Sequence, residues 1–199
     1  MEPHITGKII LVFGPSGSGK GELMRYALSL YPELRFPVSS TTRSMRPGET
    51  NGKEYHFVTR EEFERERDSG QFLESAEYGG NLYGTPKREV LDALSSGHVV
   101  LHEIEMQGVQ AIEKLLPKEA LRTVFVDAGS WEELRARILA RAPIPETELE
   151  KRKVRYEHET AYKNNADVII SNRNGELDAA KDKFSALVGS VIREAKGVS

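Results

Sequence analysis

The chain has 199 residues and a formal net charge of −3, with acidic and basic side chains interspersed, so it can bury a proper core but offers no basic stripe for nucleic-acid phosphates. It contains no cysteine, which excludes disulfides, thiolate metal sites and cysteine nucleophiles, and suits a reducing compartment. The first residues lack the apolar region of a secretory signal, and no later run approaches membrane-spanning length. We therefore expect a cytoplasmic α/β protein that binds neither nucleic acid nor membrane.

A glycine-rich segment follows the first apolar run. Residues 9–13, IILVF, predict a strand buried on both faces, and helical spacing resumes after residue 22. The glycines between them link a strand to a helix N-terminus, where backbone N–H groups, the helix dipole and the Lys20 ammonium would cradle phosphates. The expected ligand is a nucleoside triphosphate. Its binding residues would be Gly14, Pro15, Ser16, Gly17, Ser18, Gly19, Lys20, Gly21 and Glu22.

The glycine-rich segment departs from the usual P-loop pattern at one place. The spacing Gly14-x4-Gly19-Lys20 fits, but Gly21 and Glu22 stand where a Ser or Thr is usual. Taken alone, the pattern also fits a simple tight connection. The Glu22 carboxylate either repels the bound polyphosphate without taking part in function or ligates a metal ion, and we expect the first.

The middle of the chain is polar and rich in short strands. Residues 36–38 predict a short strand, and residues 39–48 predict a loop. Residues 55–58 have β character, the capping box from Thr59 to Glu62 opens a helix, and residues 72–77 predict an exposed strand. Thr85-Pro86 predicts another helix start, with threonine as cap and proline at the first position.

The remaining segment alternates strands with helices. Strands are predicted at 98–104, 123–126 and 168–170. Ser130 and Thr147, each with a glutamate three residues later, predict helix caps, and an apolar stripe from Leu177 predicts a closing helix. This alternation predicts a parallel sheet with right-handed crossovers.

Four separated stretches carry a family resemblance. GPSGSGKG, VSSTTRSMRPGETNGKEYHF, FLESAEYGGNLYGTP and HEIEMQGV resemble the guanylate kinase family in order and spacing, over nearly the whole chain. The resemblance implies ATP-dependent phosphorylation of GMP and dGMP with Mg²⁺. It also implies a P-loop NTPase-type parallel sheet flanked by helices, with an inserted strand-rich GMP-binding region and a helical lid. The P-loop core would comprise residues 1–38, 86–130 and 155–199, the GMP-binding region 39–85 and the lid 131–154.

The resemblance assigns two parts of a GMP site. The GMP phosphate would be held by Ser39, Arg43, Arg46, Tyr55 and Tyr83. Two arginines three residues apart can fork onto a dianion, although the alternative is a solvated loop whose arginines pair with acids such as Glu49. Guanine would be read by Glu74, Thr85 and Glu105.

Carboxylates suit guanine because they accept from its N1–H and exocyclic amino group, a donor pair that adenine lacks. The alternatives are a solvated Glu74, a Thr85 that only caps a helix, and a Glu105 that only favours a helix N-terminus. Many family members have Asp rather than Glu at position 105.

The remaining assignments concern phosphoryl transfer. Glu103 matches an acidic position near the GMP and metal sites and would hold Mg²⁺ through water. The resemblance names as catalytic Lys20, Arg43, Arg137, Arg141 and Arg152. Asn172 would contact the adenine of ATP. Arg135 and Arg155 are interpreted as ordinary members of a charged helical face, and His56, His98 and His102 as structural residues.

Two other functions stay open at this stage. A scaffold domain of the same fold would bind peptides, and a related phosphokinase would act on a sugar bisphosphate. Scaffold domains have degraded P-loops, whereas this chain keeps Gly19 and Lys20. A sugar-bisphosphate kinase would not need Glu74, Tyr83 and Glu105 together. The oligomeric state is left open.

Overall fold

The computed structural model describes residues 5–78, 80–141 and 143–198, apart from the side chains of Tyr78 and Arg141. Its strands are β1 Lys8–Phe13, β2 Ser40–Thr41, β3 His56–Phe57, β4 Phe72–Tyr78, β5 Asn81–Pro86, β6 Val99–Glu103, β7 Leu121–Asp127 and β8 Val168–Ser171. Its helices are α1 Lys20–Leu30, α2 Arg60–Asp68, α3 Lys87–Ser95, α4 Met106–Glu113, α5 Trp131–Arg141, α6 Glu146–Ala161 and α7 Leu177–Ala195.

A four-stranded parallel sheet forms the core, in the order β6-β1-β7-β8. Alternate residues of β1 enter two hydrophobic clusters. Ile9 packs on the side covered by α3 and α4, and Ile10 packs on the side covered by α1 and α7. The prediction of a first strand buried on both faces within a parallel sheet is confirmed.

A second sheet, in the order β3-β2-β5-β4, lies within the polar middle of the chain. β2 pairs parallel with β3 and antiparallel with β5, and β4 and β5 form an antiparallel pair. Phe63 of α2 is fully buried and stacks on Phe72 of β4, with ring centroids 4.4 Å apart. This small aromatic cluster gives the second sheet a core of its own.

Two of the predicted helix caps are confirmed. The Thr59 hydroxyl accepts from the Glu62 backbone N–H while the Glu62 carboxylate accepts from the Thr59 backbone N–H. Ser130 and Glu133 exchange the same pair of bonds ahead of α5.

The other two predicted caps are wrong. Thr85 lies inside β5 opposite Glu74, and α3 begins two residues later at Lys87. Its hydroxyl donates to the Glu74 carboxylate and is therefore unavailable as a cap. Helix α6 begins at Glu146 after Pro145, before the predicted cap Thr147.

The strand predicted at 36–38 is also wrong. Only Arg35 bridges the edge of the core sheet, opposite Val100. Pro37 has no N–H to extend that pairing. Pairing resumes at Ser40, inside the segment predicted as a loop.

Among the described residues, no helix has both the length and the apolar character that crossing a bilayer requires.

Candidate functional site

The glycine-rich segment turns sharply from β1 into α1. Gly14 has φ 132°, and a Cβ there would lie 2.7 Å from the Val126 carbonyl oxygen. Gly19 has φ 93°, and a Cβ there would overlap the side-chain amide of Asn172. That amide donates to the Ser18 carbonyl oxygen at 2.7 Å. The loop therefore needs glycine at both positions, and Asn172 supports it from beneath.

Lys20 lies at the first position of α1 with 9% of its surface exposed. Its ammonium donates to the carbonyl oxygens of Gly14 at 2.6 Å and Pro15 at 3.2 Å, and lies 3.5 Å from a carboxylate oxygen of Glu103. The ammonium is thus fixed beside the loop, at a helix N-terminus whose dipole adds positive potential. This arrangement suits a polyphosphate.

A cleft of about 1050 Å³ opens above the loop. The predicted site residues that line it are Gly14, Pro15, Ser16, Gly17, Gly19, Lys20, Gly21, Glu22, Tyr55, Glu74, Tyr83, Glu103, Glu105, Arg137 and Arg152. The cleft therefore brings the glycine-rich loop together with side chains of the second sheet and of helices α5 and α6.

Other predicted site residues do not line the cleft. They are Ser18, Ser39, Arg43, Arg46, Thr85 and Asn172. Ser39 instead lines a smaller cavity of about 260 Å³ that it shares with Tyr55 and Glu103. The side chain of Arg141 lies outside the described part of the chain.

Glu74 is a half-buried acid of the cleft. Its carboxylate accepts from the Thr85 hydroxyl at 2.7 Å. Burial raises the pKa of Glu74, and the nearby negative charge of Glu105 raises this pKa further, whereas the Thr85 bond opposes the rise. Gly108 of α4 permits this approach, because a Cβ there would lie 3.1 Å from the Glu74 Cγ. A half-buried acceptor facing a cleft suits a ligand that supplies N–H donors.

His102 lies behind Thr85. The imidazole is 3% exposed, and its Nε2 lies 3.2 Å from the Thr85 hydroxyl oxygen. Burial lowers the pKa of His102 to about 4, so the ring is neutral at pH 7. The interpretation of His102 as purely structural did not anticipate this contact with a predicted base-reading residue.

Arg43 forms the ion pair with Glu49 that the sequence analysis gave as the alternative to phosphate binding. Its guanidinium donates to both carboxylate oxygens of Glu49, at 2.8 and 3.0 Å. Glu49 also accepts from the Arg46 backbone N–H at 2.7 Å. The guanidinium carbon lies 5.5 Å from the centre of the Tyr55 ring, which lines the cleft. Glu49 therefore fixes the loop that carries Arg43 and Arg46, and it holds the Arg43 guanidinium beside Tyr55 at the edge of the cleft.

Arg137 and Arg152 line the cleft from α5 and α6. Arg137 donates to the Asn172 carbonyl oxygen at 2.7 Å and to the Asn174 side-chain oxygen at 2.8 Å. Arg152 donates to Glu148 at 3.0 Å. Both cations are thus oriented by neighbours before any ligand is present.

Comparison with known proteins identifies the family. The family model described as Guanylate kinase matches residues 6–190. The chain belongs to the guanylate kinase family. Its relatives include a guanylate kinase of Rubrobacter xylanophilus, 45% identical over 94% of this chain and 95% of that protein, and one of a Nostoc species, 45% identical over 88% and 87%. A crystal structure of guanylate kinase from Anaplasma phagocytophilum aligns with a TM-score of 0.67 and 29% identity, covering 94% of this chain and 86% of that one.

Glu22 marks the departure from the usual P-loop. Its carboxylate accepts from Arg25 at 2.6 Å and pairs with Lys181 of α7 at 3.2 Å. The Arg25 bond and then the Lys181 bond lower the pKa of Glu22, so the carboxylate is ionised. Two cations compensate its negative charge at the rim of the cleft.

Three charged residues of the cleft were missed or set aside in the sequence analysis. Arg25, Arg155 and Glu159 all line it, while Arg135 does not. Burial raises the pKa of Glu159, the positive charge of Lys20 opposes the rise, and its buried Oε2 has no hydrogen-bond partner among the described residues. Arg155 and Glu159 lie in a helix crowded with charges, where sequence pattern gives no signal for which side chains face inward.

Proposed function

We propose that this chain transfers the γ-phosphoryl group of ATP to GMP and dGMP. One observation carries the proposal: a single cleft holds the Lys20 ammonium at a helix N-terminus and the half-buried carboxylate of Glu74. The first suits a polyphosphate, and the second suits a base with two adjacent N–H donors. Membership of the guanylate kinase family supports the same pairing of substrates.

ATP lies along the glycine-rich loop. Backbone N–H groups of residues 16, 17 and 19–21 bind its phosphates, and Lys20 exchanges its bonds to the Gly14 and Pro15 carbonyls for phosphate oxygens. Glu22 lies at the rim, compensated by Arg25 and Lys181. Asn172 supports the loop through its hydrogen bond to the Ser18 carbonyl, and it is the residue that we assign to the adenine of ATP.

GMP lies across the second sheet. Glu74 and Glu105 accept from guanine, and Thr85 holds the Glu74 carboxylate in place. The phosphate is bound by Ser39, Arg43, Arg46, Tyr55 and Tyr83. Because Arg43 and Arg46 do not line the cleft, their side chains must turn inward to reach the phosphate, and Glu49 must share Arg43 with it. We propose that region 39–85 and lid 131–154 close over the core in this step.

The transfer itself needs no protein nucleophile, because the GMP phosphate oxygen attacks the γ-phosphorus in line. Charge accumulates on the transferring group and is balanced by Lys20, Arg137, Arg141 and Arg152. The residues also fit Mg²⁺: the Glu103 carboxylate faces the cleft beside Lys20, and one carboxylate with water and substrate phosphates is a set that Mg²⁺ accepts. When bound, Mg²⁺ neutralises charge on the β- and γ-phosphates.

The alternative functions have less support. A peptide-binding scaffold has no use for an ammonium buried against P-loop carbonyls. A sugar-bisphosphate kinase has no use for Glu74 and Glu105 together in the cleft. A cytoplasmic location stays a prediction.

Substrate selectivity tests the proposal. We expect GMP and dGMP to be phosphorylated, and AMP to be used with a kcat/KM at least about a hundredfold lower, because adenine lacks the donors that Glu74 accepts. Glu74→Gln should raise the GMP KM about tenfold or more, since a charged hydrogen bond becomes a neutral one. A coupled assay of ADP release with each nucleotide measures both effects.

The partial burial of Glu74 adds a pH signature to this test. With its pKa above the ordinary 4.5, Glu74 takes up a proton at a higher pH than an exposed glutamate, so the GMP KM of the wild type should rise as pH falls toward that pKa, and Glu74→Gln should lose this dependence. Because its pKa is raised in the folded protein, Glu74 stabilises the fold at pH values below 4.5, and this stabilisation is lost as pH rises through the folded-state pKa. At pH 7 it is absent, so Glu74→Gln should have a melting temperature no lower than that of the wild type. AMP turnover comparable to that of GMP would refute the proposed function.

Glu22 gives a second prediction, which concerns magnesium. We expect Glu22→Thr to lower the ATP KM and the Mg²⁺ concentration for half-maximal activity, because it restores a hydroxyl ligand and frees Arg25 and Lys181 to attract phosphates. Titration of activity against Mg²⁺ measures it. Glu22→Gln is the matched control, since it removes the charge without adding the hydroxyl. A higher Mg²⁺ requirement in Glu22→Thr would mean that Glu22 is itself a ligand.

A further inference from the structure

His102 lies at the junction of the two sheets. It belongs to β6, the edge strand of the core sheet, and alternation places it on the same side as Val100, whose cluster includes Leu73 of β4. From this position the imidazole reaches the Thr85 hydroxyl of β5. A polar side chain of the P-loop core thus contacts the sheet that we assign to GMP.

The Thr85 hydroxyl has three polar neighbours but only one proton to donate. Glu74 Oε1 lies at 2.7 Å, and Ser39 Oγ and His102 Nε2 each lie at 3.2 Å. An ionised carboxylate only accepts, so the Thr85 proton goes to Glu74. Ser39 and His102 must then donate to Thr85, and each can do so through its own O–H or N–H. The neutral imidazole therefore carries its proton on Nε2.

This tautomer leaves the other ring nitrogen unsatisfied. Nδ1 is buried and has no hydrogen-bond partner among the residues that the structure describes. A buried polar atom without a partner destabilises a fold. A histidine at this position carries that cost, which an apolar side chain would avoid, and the contact of its Nε2–H with Thr85 is the favourable interaction that offsets it.

We propose that His102 is a positioning residue for guanine recognition: its Nε2–H holds the Thr85 hydroxyl so that the single Thr85 proton stays on Glu74. This inference rests on the proposed function. It assigns His102 an effect on GMP binding that passes through the Thr85 hydroxyl.

The role of His102 becomes decisive when the substrate phosphate binds. Ser39 also lines the smaller cavity, together with Tyr55, Glu103 and His102 itself, and Ser39 and Tyr55 are assigned to the GMP phosphate. If the Ser39 hydroxyl donates its proton to that phosphate, it no longer donates a hydrogen bond to Thr85. His102 then remains as the only donor to Thr85 among these neighbours. The histidine lets phosphate and base be recognised together.

Three substitutions of His102 separate this role from simple packing. His102→Leu removes the donor and keeps the volume, His102→Asn keeps an amide too short to reach the Nε2 position, and His102→Gln places an N–H close to it. We expect Leu and Asn to raise the GMP KM about three- to tenfold with kcat and the ATP KM within twofold of wild type, and Gln to restore the wild-type KM. If the Leu variant does not fold, the Asn and Gln pair decides.

A double-mutant cycle tests whether the effect passes through Thr85. In a Thr85→Val background, His102→Leu should cause no further rise in the GMP KM. A full rise in that background, or a Gln variant as impaired as Leu, would overturn the inference. Wild-type enzyme that fails to phosphorylate GMP would overturn the proposed function. Wild-type activity with an unchanged KM in His102→Leu and His102→Asn would overturn only the role of His102.

Discussion

Replacement of Lys20 by methionine should lower kcat for GMP phosphorylation by about two to three orders of magnitude, the usual effect of removing one fixed charge from a phosphoryl-transfer site. The ammonium is held at 2.6 Å from the Gly14 carbonyl oxygen, so its position is set before ATP arrives. Methionine fills the same narrow slot without the charge. Steady-state kinetics at saturating ATP and GMP measure the loss.

A second lysine serves as the control for this variant. Lys118 pairs with Asp167 at 2.6 Å on an exposed surface and does not line the cleft. Lys118→Met should therefore leave kcat unchanged. Lys20→Met also removes the hydrogen bonds to the Gly14 and Pro15 carbonyls, so its melting temperature is measured beside that of the wild type to separate a loss of charge from a loss of folding. A Lys20→Met enzyme that keeps more than about a tenth of wild-type kcat would show that the loop amides suffice.

The core sheet and the phosphate loop follow directly from the sequence. A β-branched run, a cluster of glycines and a helical repeat are local signals, and each has one structural solution. The predicted loop lysine and the predicted base-facing acids Glu74 and Glu105 line one cleft. The order of elements therefore predicts which side chains share a space even where it gives no distances.

The failed prediction of a Thr85 helix cap has a tertiary cause. Thr85-Pro86 has the composition of a helix start, but pairing with Glu74 across β4 and β5 uses the threonine hydroxyl. A cap is a local interaction worth about 1 kcal/mol, and a buried hydrogen bond to a carboxylate outweighs it. A sequence pattern indicates the cap, which is local. It does not indicate the bond between Thr85 and Glu74, because that bond depends on how β4 and β5 pair.

The contact between His102 and Thr85 was equally hidden. Strand alternation predicts that residue 102 is buried, but only the packing of one sheet against the other decides what it meets. The same holds for Glu159, which a charged helix turns toward the cleft. The sequence therefore predicts the motif residues of the site. The residues that orient those side chains are found only from tertiary packing.

Replacement of Arg137 by alanine should reduce kcat by about two orders of magnitude or more while changing the GMP KM less than about threefold, because the charge it balances develops only during transfer. The guanidinium is fixed by the Asn172 carbonyl and the Asn174 side chain at 2.7 and 2.8 Å. Arg137→Lys should fall between wild type and alanine, since an ammonium keeps the charge but loses the planar fork that makes both bonds.

Arg135 is the matched control for Arg137. It lies in the same helix α5, two residues away, is exposed and does not line the cleft. Arg135→Ala should keep wild-type kcat and KM, so any loss shared by both variants would report on helix α5 rather than on the transferring group. Parallel losses of kcat and of GMP affinity in Arg137→Ala, with an earlier thermal transition, would assign Arg137 to the attachment of helix α5 to the segment after β8. A fall in kcat alone, with the melting temperature unchanged, assigns the charge to the transition state.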